Sequence, residues 1–271
     1  MQEGRLLGIV PLAVEGSCVR FLGLADVCDY QDIVTAPGQE VPVVQALFDY
    51  LAAQNLRRLE LGTLRPDAAL LKGLDAVMAK QPFSIERVSE DVTYETPLPE
   101  DWEAYLLELN GKQRHEIRRK LRRLETHGAF AFRPADSNGA LEGETERFLQ
   151  LFRMNRADKA QFMNPAMSAY FSDLIAALAG HHFLRLFFLE VEARSAATVL
   201  CFDYGDVRYL YNSGYDAQFH DLSVGLISKL FSIQSGIDAG CRRFDFLKGD
   251  EVYKKRIGGQ QVPLYQCTIE L

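Results

Sequence analysis

Apolar positions along the chain fall into two rhythms, one of strand length and one of helical spacing. Short apolar runs at 6–14 and 19–24 are bounded by turn residues and read as strands. In VPVVQALFDYLAAQ, residues 41–54, Val43, Val44, Leu47 and Leu51 recur on one face of a helix. RRLEL at 57–61 reads as a buried strand, and Pro66 with Asp67 opens a second helix running to about Lys80. SIERVSEDVTYET at 84–96 returns to the strand rhythm. The two prolines of PLPED then interrupt regular structure and place the expected internal boundary between residues 1–98 and 99–271.

Helical spacing dominates from Trp102 to about Thr126, with Gly111 marking a break, and again over about 139–158 and 166–179. The rhythm then changes. HFLRLFFLEVE (182–192), AATVLCFDYG (196–205) and VRYLYNSGYD (207–216) are rich in β-branched and aromatic residues and separated by short turns, as in an antiparallel meander. In the last of these the strand is expected to end near Asn212 and a loop to carry Gly214. LSVGLISKLFSIQSGIDAG (222–240) follows as a helix with Ser223 as its expected N-cap, Gly225 in its first turn and Gly240 as its stop. A strand at 242–247, a turn at Gly249, a short helix at 250–257 and a last strand at 262–271 complete the chain. The element order describes an α+β unit with a mixed, largely antiparallel sheet, and neither GxxxxGKS nor GxGxxG is present to suggest a P-loop or dinucleotide site.

Composition narrows the class. With 271 residues and 48% hydrophobic content the chain can bury a full core, and a net charge of -7 argues against wholesale capture by nucleic acid. The five cysteines are scattered without CxxC spacing, so neither a zinc site nor a disulfide framework is indicated, and no metal is expected. The apolar run at 6–14 is short and broken by Pro11, which favours a first strand over a signal peptide, and no run reaches the roughly 18 apolar residues of a membrane span. The expectation is a cytoplasmic protein.

Three stretches carry candidate chemistry. GKQRHEIRRKLRRLE (111–125) sets seven cations against Glu116 and Glu125 around a narrow stripe of Ile117, Leu121 and Leu124. Guanidinium forks suit phosphate oxygens, although a solvated helix face is the alternative. YLYNSGYDAQFHDLSVGLIS (209–228) ends at a helix start whose backbone amides favour anions, and Gly225 would let a phosphate or pantetheine chain approach. In FDFLKGDEVYKKRIGG (244–259), Asp250 and Glu251 sit where acidic groups complement a helix dipole, whereas Asp245 between two phenylalanines and Tyr253 beside Lys254 lack so simple an explanation.

Taken together, KQRHEIRRKLRRLE, LYNSGYD and FDFLKGDEVYKKRIGG resemble the FemAB-like branch of the GNAT acyltransferase superfamily, and more narrowly its CelD-like acetyltransferases associated with bacterial cellulose and other exopolysaccharides. LGLADVCDYQDIVTAPG is similar as well, so the resemblance spans roughly residues 20–259. It implies two tandem GNAT-like halves: a degenerate one over 1–98, and a complete one over 99–271 that includes the basic helix 111–126. It also implies transfer of an acyl group from acyl-CoA, acetyl-CoA in the first instance, to an amine.

Mapped by element order, the resemblance gives VRYLYNS the role of the strand whose backbone at Tyr211, Asn212 and Ser213 bonds the thioester carbonyl. Ser223, Val224 and Gly225 then form the pyrophosphate loop, with fewer glycines than the family's Q/RxxGxG/A pattern and without its leading basic residue. Tyr253 becomes the general acid for the departing thiolate. Glu251, Asp245 and His220 are the options for the base, with Glu251 favoured and an ion pair to Lys254 as its alternative role. Lys112, Arg114, Arg118, Tyr215 and Lys254 are expected on the substrate or its phosphates.

The implied acceptor is an amine on a sugar, nucleotide sugar or polysaccharide precursor, reached by a protein peripheral to the inner membrane and associated with a membrane-bound polysaccharide synthesis complex. Two other readings stand beside it. One is a Fem-type transferase using aminoacyl-tRNA, although the heptad run of a coiled-coil arm is not seen. The other is a non-catalytic binding or scaffold protein on the same fold.

Overall fold

The computed structural model describes residues 4–24, 26–78, 84–136, 140–155 and 157–270. In chain order its first elements are β1 (Gly8–Ile9), β2 (Leu12–Glu15), β3 (Cys18–Phe21), β4 (Val34–Thr35), α1 (Glu40–Ala53), β5 (Arg58–Leu64), α2 (Ala69–Met78) and β6 (Ser84–Pro97). Then come α3 (Trp102–Glu108), α4 (Gly111–His127), β7 (Phe130–Pro134), α5 (Leu141–Asn155), α6 (Ala157–Phe162) and α7 (Pro165–Gly180). The chain closes with β8 (Leu184–Val191), β9 (Arg194–Tyr204), β10 (Val207–Tyr215), a 3-10 turn (Ala217–Leu222), α8 (Val224–Asp238), β11 (Arg243–Lys248), α9 (Val252–Arg256) and β12 (Gln260–Glu270). The expected α2 end at Lys80 and the expected helix start at Gly139 lie outside the described residues.

Two compact units divide these elements. The first holds the chain up to Tyr94 together with 248–250 and 261–271, and the second holds 95–247 and 251–260. The last strand therefore belongs with the N-terminal unit, although residues 99–271 read as one stretch in the sequence. Its physical reason is pairing: β12 lies antiparallel to β5, with Ile269 opposite Leu59 and Cys267 opposite Leu61.

In the first unit the strands run β2, β3, β5, β12, β6, with β3 parallel to β5 and antiparallel to β2. Val44, Leu51, Leu59, Leu61, Leu70 and Ile269 share its core. Asp32 accepts hydrogen bonds from the amides of Ala69 (2.7 Å) and Leu70 (2.9 Å), satisfying orphan donors at the start of α2.

The second unit is built on the order β11, β10, β9, β8, β7. As the sequence pattern requires, β8, β9 and β10 form an antiparallel meander, and alternation along β8 divides its side chains between two cores. Leu186 and Phe188 pack with Phe148, Phe152 and Phe171 of α5 and α7, whereas Leu189 and Val191 pack with Leu124 of α4 and Val224 and Ile227 of α8.

Four local expectations are corrected. Phe130–Pro134, not anticipated as a strand, forms β7 by pairing with β8. Strand β10 runs past Asn212 to Tyr215, so Gly214 lies within the strand; the residue is glycine because a Cβ there would meet the Leu151 carbonyl of α5 at 2.5 Å. Asp250 and Glu251 precede the first turn of α9, Glu251 at its N-cap position without a side-chain capping bond. Ser223 occupies the N-cap position of α8, but in a left-handed conformation (φ 57°) and with no capping bond from its hydroxyl.

Candidate active site

The site begins where two strands part. β10 and β11 are parallel over Val207–Tyr209 and Arg243–Asp245, after which β10 continues to Tyr215 against β9. Two features accompany the parting. A bulge at Tyr211 bends β10. Beyond Asp245, the Asp245 carboxylate accepts the Leu247 amide at 2.8 Å and holds Leu247 at φ 58°, so β11 turns away.

A cavity of about 1180 Å³ lies within the second unit, reached by β10 at its last residue, Tyr215. Its walls come from the start of α4, the 3-10 turn, the first two turns of α8, and α9. Helix α4 is fixed there by a capping box, in which Asn110 accepts the Gln113 amide (3.0 Å) and Gln113 accepts the Asn110 amide (2.9 Å). The Gln113 amide group also donates to the Lys255 carbonyl at 2.8 Å, tying α4 to α9.

The electrostatics of the cavity oppose those of the chain. Lys112, Lys120, Lys229, Lys255 and Arg256 face one carboxylate, Glu116. Glu116 is spoken for: Arg119 donates to both its oxygens at 2.8 and 2.9 Å and Lys120 lies 3.3 Å away. The Arg119 bonds, supported by Lys120, hold its carboxyl down to about 2.

At the head of α8 the Ser223 hydroxyl accepts from Lys120 Nζ at 2.8 Å and Arg123 Nη2 at 2.9 Å. Two cations thus converge where the α8 dipole is already positive, an arrangement that favours an anion at this end of the cavity.

Tyr253 faces the same cavity from α9, partly buried, with its ring edge-on to Phe246 at 6.4 Å. Burial, with Glu251 and Cys201 acting in the same direction, pushes its phenol above the ordinary value, so it stays protonated. Lys229, buried one turn into α8, donates to the Gly225 carbonyl at 2.7 Å and places its ammonium 4.8 Å from the centre of the Tyr253 ring.

Among residues the sequence singled out, the structure brings Lys112, Tyr215, His220, Ser223, Val224, Gly225 and Tyr253 to this cavity. Others are placed elsewhere. Asp245 is buried and engaged with the Leu247 amide. Glu251 is exposed and paired with Lys254 at 2.8 Å, while the buried Lys254 also donates to the Leu247 carbonyl at 2.8 Å. Arg118 pairs with Glu103 at 2.9 Å on the exposed face of α4, and Arg114 is outside the lining.

Tyr211 packs against Phe171 (5.8 Å between rings), the Asn212 side chain accepts the Ser213 amide at 3.0 Å, and Ser213 is paired in register with Val199. At Gly225 a Cβ would stand 2.8 Å from the Tyr215 ring, so this glycine makes room for Tyr215. Lys120, Arg123 and Lys229 were not distinguished in the sequence from other basic residues.

Among the described residues no group of His, Cys, Asp and Glu is placed to hold a metal ion. No described helix is long and apolar enough to cross a membrane.

No curated protein matches the chain by sequence. Solved structures do match in fold. FemX is similar over 98% of this chain and 86% of its own, with TM-score 0.63 and 12% identity. The C-terminal domain of a putative lysylphosphatidylglycerol synthetase from Agrobacterium fabrum matches with TM-score 0.61 and 11% identity over 95% of this chain and 79% of its own. L-PGS from Bacillus licheniformis matches with TM-score 0.59 and 10% identity over 96% and 80%. The family model described as an acetyltransferase (GNAT) domain matches residues 111–255, more than half of the chain and every residue lining the cavity except Arg256. With the parted strands and the anion site at the head of α8, this match identifies the chain as a member of the acetyltransferase (GNAT) domain family, an N-acyltransferase.

Proposed function

We propose that the chain moves an acyl group, acetyl in the simplest case, from acyl-CoA to an amine on a sugar or another precursor of a surface polysaccharide. One observation carries the choice of donor. Lys120 and Arg123 converge on Ser223 at the head of α8, in the cavity that also holds Tyr253. A pyrophosphate at that point, with pantetheine running on toward Tyr253, uses both ends of one cavity. The acceptor class rests on the resemblance of FDFLKGDEVYKKRIGG to CelD-like acetyltransferases. On this reading the protein works in the cytoplasm, where acyl-CoA is supplied, at the inner face of the membrane that carries the polysaccharide assembly.

In the proposed reaction the neutral amine attacks the thioester carbonyl carbon, forming the C–N bond. The carbonyl oxygen, as charge builds on it, is assigned to the β10 backbone near Asn212, the Ser213 amide being taken by the Asn212 side chain. The C–S bond then breaks and Tyr253 gives its proton to the thiolate. His220, at the cavity wall, takes the proton from the amine, while Glu251 remains bound to Lys254.

A second reading replaces acyl-CoA with aminoacyl-tRNA, favoured by the exposed Lys112, Lys255 and Arg256 at the cavity. Calorimetry separates the two. Acetyl-CoA should bind, Lys120→Ala should weaken binding about tenfold, and tRNA should not compete. With glucosamine as probe acceptor, Tyr253→Phe should leave donor affinity within about twofold and lower turnover roughly 100-fold. Absence of binding by every acyl-CoA at millimolar concentration would sink the proposal.

A further inference from the structure

Helix α9 carries the candidate acid on five residues, far fewer than the roughly 12–15 at which a helix holds its own shape in water, so its position is set by what grips it. The last turn of any helix leaves carbonyls without intrahelical donors. Here α3 and α4 supply two of those donors. The hydroxyl of Tyr105, a buried residue of α3, donates to the Ile257 carbonyl at 2.6 Å. The Gln113 amide group donates to the Lys255 carbonyl at 2.8 Å, shorter than the 3.3 Å at which the Gly258 amide reaches the same oxygen. Gln113 is oriented before it meets α9, because its side-chain oxygen accepts the Asn110 amide at 2.9 Å in the capping box of α4. A capping box is served by glutamate or glutamine at this position, and only glutamine has a donor left for a neighbouring carbonyl. Gln113 also lines the cavity that Tyr253 faces.

We propose that Gln113 is a positioning residue for the acyl transfer: by gripping the last turn of α9 it holds Tyr253, two residues before Lys255, where the phenol reaches the departing sulfur. The inference rests on the reading of Tyr253 as the acid. Proton transfer needs heavy atoms within about 2.6–3.2 Å of each other, and a misplacement of about 1 Å can cost roughly 100-fold in rate. A slackened α9 therefore lowers turnover. Lys254 still ties α9 to the Leu247 carbonyl at 2.8 Å, so the helix loosens without coming away. Donor affinity is spared, because the phosphates are assigned to Lys120, Arg123 and the head of α8 rather than to α9.

Gln113→Glu is the discriminating variant, because it keeps the acceptor of the capping box and loses the donor to Lys255. Hydrogen exchange read by mass spectrometry needs no acceptor substrate. Amides of 252–258 should exchange about three- to tenfold faster in Gln113→Glu, the loss of one hydrogen bond, while α4 keeps wild-type protection. With acetyl-CoA and glucosamine as probe acceptor, kcat should fall about tenfold and the Kd for acetyl-CoA should stay within about twofold. In a Tyr253→Phe background the same substitution should lower kcat by less than about twofold further, because the group it positions is gone. Unchanged exchange at 252–258 overturns the grip on α9, whether or not glucosamine is accepted. An equal fall in kcat with and without the Tyr253 hydroxyl overturns the positioning role and leaves the acid reading standing. Wild-type turnover by Tyr253→Phe overturns the acid reading, and the positioning role with it.

Discussion

Gly214 offers a quantitative test of how β10 is held, since the same strand carries the edge at which the donor is proposed to lie. A Cβ at this position would stand 2.5 Å from the Leu151 carbonyl oxygen and 2.6 Å from the Leu151 carbonyl carbon and the Phe152 Cα. Unstrained contacts between such atoms lie near 3.5 Å, so Gly214→Ala requires α5 and β10 to separate by about 1 Å. All three obstructing atoms are backbone, and α5 is held in place by Phe148 and Phe152 in an aromatic core, so no rotamer change relieves the clash. Overpacking costs about 1–3 kcal/mol where side chains can yield, and the upper end applies when backbone must move. At roughly 2–4 °C per kcal/mol for a chain of this size, the variant should melt about 6–12 °C below the wild type.

Gly225→Ala is the internal control. Its Cβ would stand 2.8 Å from the Tyr215 ring, which can swing about its own side-chain torsions, and a helix gains about 1 kcal/mol from alanine over glycine. Its melting temperature should therefore stay close to the wild type. Thermal melts followed by far-UV circular dichroism read both. A Gly214→Ala protein melting within about 2 °C of the wild type, or at or above Gly225→Ala, would refute the reasoning.

Two further outcomes follow from the ion pairs. Asp203 accepts two bonds from the buried Arg208 (2.8 and 2.9 Å) and one contact from Arg185 (2.7 Å), so Asp203→Ala, which strands a buried guanidinium, should cost about 3–5 kcal/mol in urea denaturation, and a loss below about 1 kcal/mol would contradict this. The depressed carboxyl of Glu116 contributes stability that is complete above its ordinary value of 4.5 and is lost as pH falls from there toward about 2. The small gap in melting temperature between wild type and Glu116→Gln should therefore close over that window and shrink with added salt, and a gap constant from pH 7 to about 2.5 would rule the pairing out as its source.

What the sequence made legible was whatever depends on local spacing. The β8–β10 meander announces itself through its β-branched and aromatic runs, and α4 through its apolar stripe and cations, because side-chain period reports directly which face is buried. β7 escaped notice because five residues carry little periodicity, and its stability comes from pairing with β8 more than fifty residues later. Ser223 looked like a cap because serine before a helix usually is one. Its hydroxyl instead meets Lys120 and Arg123, about a hundred residues earlier, which no local pattern encodes. The same limit separates Tyr253, reached through a motif, from Lys229, whose burial against that ring exists only once α8 and α9 are packed.

The assignment of β12 to the first unit has a consequence for how the gene can be handled. The message for that unit is split: its last strand is encoded after the whole catalytic stretch, and its side chains at Cys267 and Ile269 are fully buried. Removal of β12 therefore takes Cys267 and Ile269 out of the core of the N-terminal unit while leaving residues 111–255 in place. In sequence the second unit lies inside the first: it takes 95–247 and 251–260, with 248–250 and 261–271 returned to the first unit.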